Sequence, residues 1–350
     1  MELHDQFVSI FSEIVEDVKG FFPPKKEFPK EATNYLIKMV EHNVPDGKHI
    51  RGMIVVNTFL ALSDKRDPKS IRGALLLGWC LEFYHAFRFV ADDVMDHSKT
   101  RRGRSCWHEL VGMIGINDSF TLEGFVFQLL KKHFCKHPHY LELVEFFLDS
   151  GFCSELGRTL SQSTIDYQTK KPIFSKYNND YFCKMIRLKS SIASFYLPIA
   201  LGITLATGKA IDLDSLEHQE KLNEAKKVML QLGEYYIIKD DIIKNFSDKK
   251  LLNDNIDQDI QMGKCSWLIV TALKHSSEEQ TQQLTKNYGK NNPKSLQIVK
   301  EIYQQLNLFQ IYQDFEQKSL NSIVHSLDNL KYNPKEIFSI LLSQVLKRKN

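Results

Sequence analysis

Apolar side chains recur at steps of three and four residues along nearly the whole chain, a period that leaves little room for anything but helices. Leu222, Ala225, Met229, Leu232 and Tyr236 share one helical face, as do Leu296, Val299, Ile302, Tyr303 and Leu306. Helix breakers are scarce, with 16 Gly and 10 Pro in 350 residues, roughly two-thirds of average use or less. They fall between the periodic runs, at Pro23-Pro24, Pro45-Asp46-Gly47, Asp67-Pro68, Pro138, Lys171-Pro172, Gly208, Pro293 and Pro334. These stops predict about ten to twelve helices, with strand-like alternation essentially missing. The expected fold is all-α, one large antiparallel bundle over residues 1–350 with its site in the bundle core.

Composition narrows the classes further. A hydrophobic content of 43%, with 23 Phe and 13 Tyr, supplies a large core, and a net charge of +3 is too mild for a nucleic-acid binder. No run reaches the roughly 18 consecutive apolar residues expected of a membrane span. The N-terminal residues carry Glu2 and Asp5 and lack the apolar core of a signal peptide. Six cysteines, at 80, 106, 135, 153, 183 and 265, form no CxxC pair; they read as the reduced thiols of a cytoplasmic protein. His133, Cys135, His137 and His139 alternate, but the stretch lacks the second ligand pair of a metal site, and Pro138 marks it as a loop between helices.

Chemistry concentrates in two acidic clusters. In Phe89-Val-Ala-Asp92-Asp93-Val-Met-Asp96, the carboxylates of Asp92 and Asp96 lie one turn apart on one face, with Asp93 beside them. Three crowded carboxylates repel one another unless a cation sits over them, and Mg²⁺ is held by one or two carboxylates plus substrate phosphates. Thr100-Arg101-Arg102-Gly103 follows at once. Paired arginines give phosphate-matched donors, and metals with arginines form a kit for stabilising a departing polyphosphate. The second cluster contains Lys239, Asp240, Asp241, Lys244 and Asp248. Residues 240, 244 and 248 share a face, with lysine in the middle. That ammonium would compete with a metal, stand in for one against phosphate, or simply pair with Asp240 on the surface.

Together these blocks resemble the farnesyl diphosphate synthase family. Its first aspartate-rich region is matched by residues 89–96, Thr100–Gly103 and Cys106-Trp107. Further matches are Gly47-Lys48-His-Ile-Arg51-Gly52, Ser194–Ala200, Gly233-Glu234 with Asp240-Asp241, and Lys264-Cys-Ser-Trp267. The resemblance implies the isoprenoid synthase fold, three Mg²⁺ ions, a prenyl (allylic) diphosphate substrate and a homodimer. By position it assigns Asp92, Asp96 and Asp240 to metal, with Asp93 in the catalytic set. Arg101, Lys189 and Lys264 fall to the allylic diphosphate, and Lys48, Arg51 and Arg102 to isopentenyl diphosphate.

Departures from the family pattern gather on the elongation machinery. The last Asp of the second motif is Lys244; glutamines of the family stand as Ile237, Lys239 and His85; and a lysine downstream becomes Asn255 within Asn253–Asp259. Gly-Gln-x-x-Asp reads Gly157-Arg158-Thr-Leu-Ser161, a threonine is Ser190, and a tyrosine is Ala193. Phe87, where aromatic residues limit product length, is followed by Arg88. The sequence expectation is therefore a class I terpene synthase, a lyase that ionises an allylic diphosphate without condensing it. Phe83, Phe87, Phe195 and Tyr236 are candidates to stabilise the cation by cation–π contact, or else ordinary core. The alternatives are a prenyltransferase that makes geranyl or farnesyl diphosphate and a non-catalytic partner subunit. The basic end Lys347-Arg348-Lys349 would either fold over the phosphates or remain a solvated helix end.

Overall fold

The computed structural model describes residues 2–24, 27–64, 67–206, 216–246 and 257–347, without the side chains at 340, 344 and 347. Gly208, Asp248, Asn253, Asn255, Arg348 and Lys349, along with the side chain of Lys347, thus lie outside the described residues. Helices dominate, and they begin where the sequence supplies a cap. Asp67 accepts hydrogen bonds from the backbone of Lys69 and Ser70, both at 3.1 Å, while Pro68 occupies the first turn of the helix Pro68–Met95. A missing N–H costs nothing there. Asn292 does the same for the helix Pro293–Gln305, accepting from Ser295 at 2.9 Å. Pro138 lies between the helices Gly115–Phe134 and Tyr140–Gln162.

Contacts divide the chain into two compact units. Unit one comprises Met1–Leu148 and Leu197–Leu222. Its centre is the helix Pro68–Met95, against which Gly115–Phe134 and Ile50–Leu62 pack; Leu197–Ala206 lies on the latter. Gly52 and Gly78 let two of these helices cross closely, since a Cβ on Gly78 would stand 2.7 Å from the Gly52 carbonyl oxygen. The crossing fixes the start of Ile50–Leu62 and with it Arg51. One departure from the all-helical expectation is a hairpin of two-residue strands, Thr100–Arg101 against Arg104–Ser105. Arg102 and Gly103 turn it, with φ of 54° and 76°, the left-handed pair of a type I′ turn. Alternation over two residues is too short to read from sequence.

Unit two comprises Asp149–Tyr196 and Asn223–Asn350. Its core gathers Ile238, Ile242, Leu268, Ile269, Leu284 and Val299. Residues Arg187–Tyr196 form a π-helix, a wide turn that recurs at functional sites. Two glycines press on it: a Cβ on Gly157 would lie 2.2 Å from the Lys189 backbone nitrogen, and one on Gly233 would lie 2.6 Å from Ser191 Cβ. Lys189 therefore sits on backbone fixed by neighbouring helices.

Pro68–Met95, Trp107–Phe134 and Asn179–Ala206 are long and apolar enough to cross a membrane by length and composition, although their apolar residues are not consecutive. In the first, 89% of the apolar window is buried within the protein, so its apolarity makes core. In Trp107–Phe134 only 33% is buried, and Leu110, Met113, Ile114, Ile116 and Phe120 are exposed.

The contact at Gly157 makes a stability prediction. Gly157→Ala should lower stability by about 1–3 kcal/mol through overpacking. Gly124→Ala, where an added Cβ meets nothing within 4 Å, should raise it by about 0.5–1 kcal/mol. Urea unfolding midpoints of the two variants check both signs.

Candidate functional site

In unit one the first acidic cluster closes the helix Pro68–Met95. Asp93 is buried and takes a two-pronged bond from Arg101, Nε to Oδ2 at 2.7 Å and Nη2 to Oδ1 at 2.6 Å. Burial opposes the charge on Arg101, but Asp93 outweighs it and holds the guanidinium above its usual value. Asp92 and Asp96 remain half-buried one turn apart. Asp93 is thus an anchor for Arg101, and the two outer carboxylates are the ones that could hold a cation.

Basic groups converge beside this cluster. The guanidiniums of Arg101, Arg102 and Arg51 lie 4.6, 5.5 and 5.8 Å from the ring centroid of Phe89. That ring offers a negative face to three cations that repel one another. Desolvation and the nearby charges of Arg51 and Arg101 hold the Arg102 guanidinium below its usual value, against the pull of Glu82 and Asp46. Glu82, buried, accepts from the Gly52 backbone at 2.8 Å and so anchors the turn after Arg51. His49 Nε2 lies 2.7 Å from the Pro45 carbonyl oxygen, closing the loop that carries the exposed Lys48. Arg104 pairs with Asp46, tying the hairpin to the same loop. A narrow cleft here is lined by Asp46, Phe89, Asp93, Arg101, Arg102 and Arg104.

Other residues singled out in unit one are core. His85 is 3% exposed, its ring 5.5 Å from Tyr84 and 6.0 Å from Phe89. Phe87 stands edge-on to Tyr84 at 5.2 Å, Phe83 is fully buried, and Arg88 lies over the Tyr84 ring at 5.7 Å. His133 pairs with Asp17 at 2.7 Å, and His139 is buried near Glu142, 3.6 Å away.

In unit two the helix Leu216–Phe246 carries Asp240, Asp241 and Lys244. Lys244 Nζ is 2.8 Å from Asp240 Oδ2 and 3.8 Å from Asp259 Oδ2, while Lys264 Nζ is 3.4 Å from Asp259 Oδ1. Burial works against the Lys244 ammonium, yet Asp259, Asp240 and Asp241 outweigh it and hold it charged. Burial likewise pushes the Asp259 carboxyl up, but Lys244, Lys264 and Lys189 keep it below its usual value. Asp241, 8% exposed, accepts from the Trp267 backbone at 3.0 Å. Its burial and the nearby Asp259 charge push its carboxyl up to about 7, against the pull of Lys244. Lys239 turns elsewhere, toward Tyr235 at 3.3 Å and Glu316 at 3.8 Å. Ile237 packs against the unit-two core, Ala193 and Arg158 are buried, and Ser190 is half-buried on the π-helix. Phe195 meets Tyr236 at 5.2 Å.

The structure thus joins Asp92, Asp93, Asp96, Lys48, Arg51, Arg101 and Arg102 around one loop, hairpin and helix end. It joins Lys189, Asp240 and Lys264 with Lys244 in a second group. Sequence reasoning gave no role to Phe89, Glu82 or Asp259. Phe89 carries a signal in hindsight, an aromatic one turn before the acids; Glu82 and Asp259 carry none without the fold. Among the described residues no three His, Cys, Asp or Glu side chains are arranged as a ready-made metal cage. The donors at Asp92 and Asp96 still fit Mg²⁺, which takes one or two carboxylates and completes its shell from water and phosphate. Asp240, engaged by an ammonium, does not fit in the same way.

Comparison with known proteins follows this pattern. Residues 33–306 match the polyprenyl synthetase family model. The chain is 36% identical to a farnesyl pyrophosphate synthase of Gallus gallus over 351 residues, covering 98% of this chain and 92% of the relative. It is 35% identical to a farnesyl pyrophosphate synthase of Candida albicans, covering 98% and 97%. A solved farnesyl diphosphate synthase of T. brucei, complexed with a bisphosphonate, superposes with a TM-score of 0.89 over the full length of both chains at 22% identity. The fold is the all-α isoprenoid synthase fold.

Asp241 generates a pH prediction. Its carboxyl binds a proton more tightly when folded than when unfolded, so its contribution to stability falls as pH rises from about 4 to about 7. Asp241→Asn removes that slope. Between pH 5 and pH 8 the wild type should lose stability relative to the variant, measured by urea unfolding at each pH.

Proposed function

Because the chain belongs to the polyprenyl synthetase family, among the farnesyl diphosphate synthases, we propose that it is a prenyltransferase that joins isopentenyl diphosphate to an allylic diphosphate. The observation that carries this reading is the intact basic group of unit one, Lys48, Arg51 and Arg102, which falls on the positions matched to isopentenyl diphosphate. The relatives favour this transferase over the lyase that the departures suggested. In the proposed reaction the allylic C–O bond breaks, its electron pair leaving on diphosphate. The allylic carbon bonds to the alkene of isopentenyl diphosphate, and a proton departs.

The residues divide the work by charge. In unit one, Arg101, held by Asp93, presents donors to the leaving diphosphate; in unit two, Lys189 and Lys264 have the same assignment. Such groups act by stabilising charge where it develops. Asp92 and Asp96 would hold Mg²⁺, which when bound neutralises diphosphate as it leaves. Buried His85 and Phe87 shape the apolar surroundings.

A homodimer is part of the proposal, with exposed Leu110, Met113, Ile114, Ile116 and Phe120 as its apolar face. Such a patch on unit one is of the kind that marks an interface. With all six cysteines free, a reducing cytoplasm is the proposed compartment. One observation favours a second reading, ionisation without condensation. Ile237, at a position where the family has an amide, is turned into the core of unit two and offers no polar group to a substrate.

Product analysis tests the function. Purified chain with Mg²⁺ and geranyl diphosphate should yield farnesyl diphosphate only when isopentenyl diphosphate is added; hydrocarbons or alcohols formed without it would establish the second reading. Arg102→Ala should raise KM for isopentenyl diphosphate by about tenfold or more, the loss of one charge-assisted contact, with a smaller change in kcat. Asp96→Asn should instead lower kcat. Sedimentation should give twice the 40.7 kDa chain mass, and Phe120→Asp should shift it toward the monomer.

A further inference from the structure

We propose that Lys244 takes the place of a divalent ion on the second acidic cluster, so that unit two meets diphosphate with resident ammonium groups in place of a metal. The inference deepens the proposed function, resting on its premise that this cluster faces a diphosphate. Three observations converge on it.

The first is geometry. Each described carboxylate of the cluster is already engaged: Asp240 by Lys244 at 2.8 Å, Asp259 by Lys264 at 3.4 Å and Lys244 at 3.8 Å, and Asp241 by the Trp267 backbone at 3.0 Å. A Mg²⁺ ion demands oxygen ligands at about 2.0–2.1 Å in near-octahedral array. It could approach Asp240 only by displacing an ammonium tethered one turn away on the same helix.

The second is charge. Among the described residues three carboxyl groups, Asp240, Asp241 and Asp259, face three ammonium groups, Lys244, Lys264 and, acting on Asp259, Lys189. An aspartate at 244 would make four against two. The difference is two units, the charge of one divalent ion, so lysine supplies covalently what the family pattern obtains from a bound cation.

The third is access. The Lys244 side chain is 37% exposed, so part of it reaches solvent while its ammonium stays bonded to Asp240. An ammonium carries three N–H donors, enough to hold Asp240, reach toward Asp259 and still meet an incoming oxygen. In unit one the cation against the buried acid is instead an arginine, Arg101 on Asp93.

Counting metal tests the inference without turnover. Whole chain is titrated with Mn²⁺ in saturating inorganic diphosphate, and bound ions are counted from the electron paramagnetic resonance of free Mn²⁺. Lys244→Asp should bind one more Mn²⁺ per chain than the wild type, and Asp240→Asn should leave the wild-type count unchanged. With no metal present, Lys244→Gln should weaken diphosphate binding several-fold. Equal counts for wild type and a folded Lys244→Asp, or a lower count in Asp240→Asn, would overturn the proposal. Should Lys244→Asp fail to fold, the Asp240→Asn count alone decides. No isoprenoid enters these measurements, so their failure is separate from a failure of the product analysis.

Discussion

Carboxylates crowded on one turn of a poorly solvated helix cannot stand without positive charge against them. The chain meets that demand twice, by different means. In unit one Arg101 clamps Asp93 with both prongs of its guanidinium, a bidentate bond that neutralises the most buried acid and orients the arginine. Asp92 and Asp96 stay half-buried one turn apart, the pair assigned to Mg²⁺ in the proposed function. In unit two Lys244 lies against Asp240 and reaches toward Asp259. The same electrostatic requirement is met by an arginine in unit one and by lysines in unit two.

Backbone packing makes these charge arrangements possible. Two helices cross closely at Gly52 and Gly78, whose missing Cβ atoms leave room for the Phe7 ring, and Arg51 stands at that crossing. The Arg102-Gly103 turn takes left-handed φ values and swings Arg102 back over the loop at Gly47, whose missing Cβ leaves room for the guanidinium. Phe89 then serves as a common face for three arginines that would otherwise repel. In unit two, Gly157 and Gly233 seat the π-helix that carries Lys189. Small residues are placed where the basic side chains must be aimed.

Much of this was legible in the sequence because helices announce themselves. The three- and four-residue periodicity gave the all-α class, and the breakers at Asp67-Pro68 and Pro293 separated its runs; the structure adds that Asp67 and Asn292 cap the helices that follow. The spacing of Asp92, Asp96 and the following arginines gave the first cluster. What could not be read depends on three-dimensional closure. The Thr100–Ser105 hairpin is too short to show a period. Asp93 looks like its neighbours until Arg101 is seen to claim it, and Lys239 and Lys244 look alike although one turns to Tyr235 and Glu316 and the other to Asp240. The departures in unit two pointed toward a lyase because each was weighed as a lost contact. The relatives, similar over nearly the whole chain, and the unaltered basic group of unit one favour the transferase.

The account turns on whether the second substrate is still held. Isopentenyl diphosphate should be titrated calorimetrically into the chain saturated with Mg²⁺ and an unreactive thio-analogue of geranyl diphosphate. One binding event per chain, abolished in an Arg51→Ala, Arg102→Ala double variant, is the result the account predicts. Absence of binding by the wild-type chain, with the analogue itself bound, would contradict it.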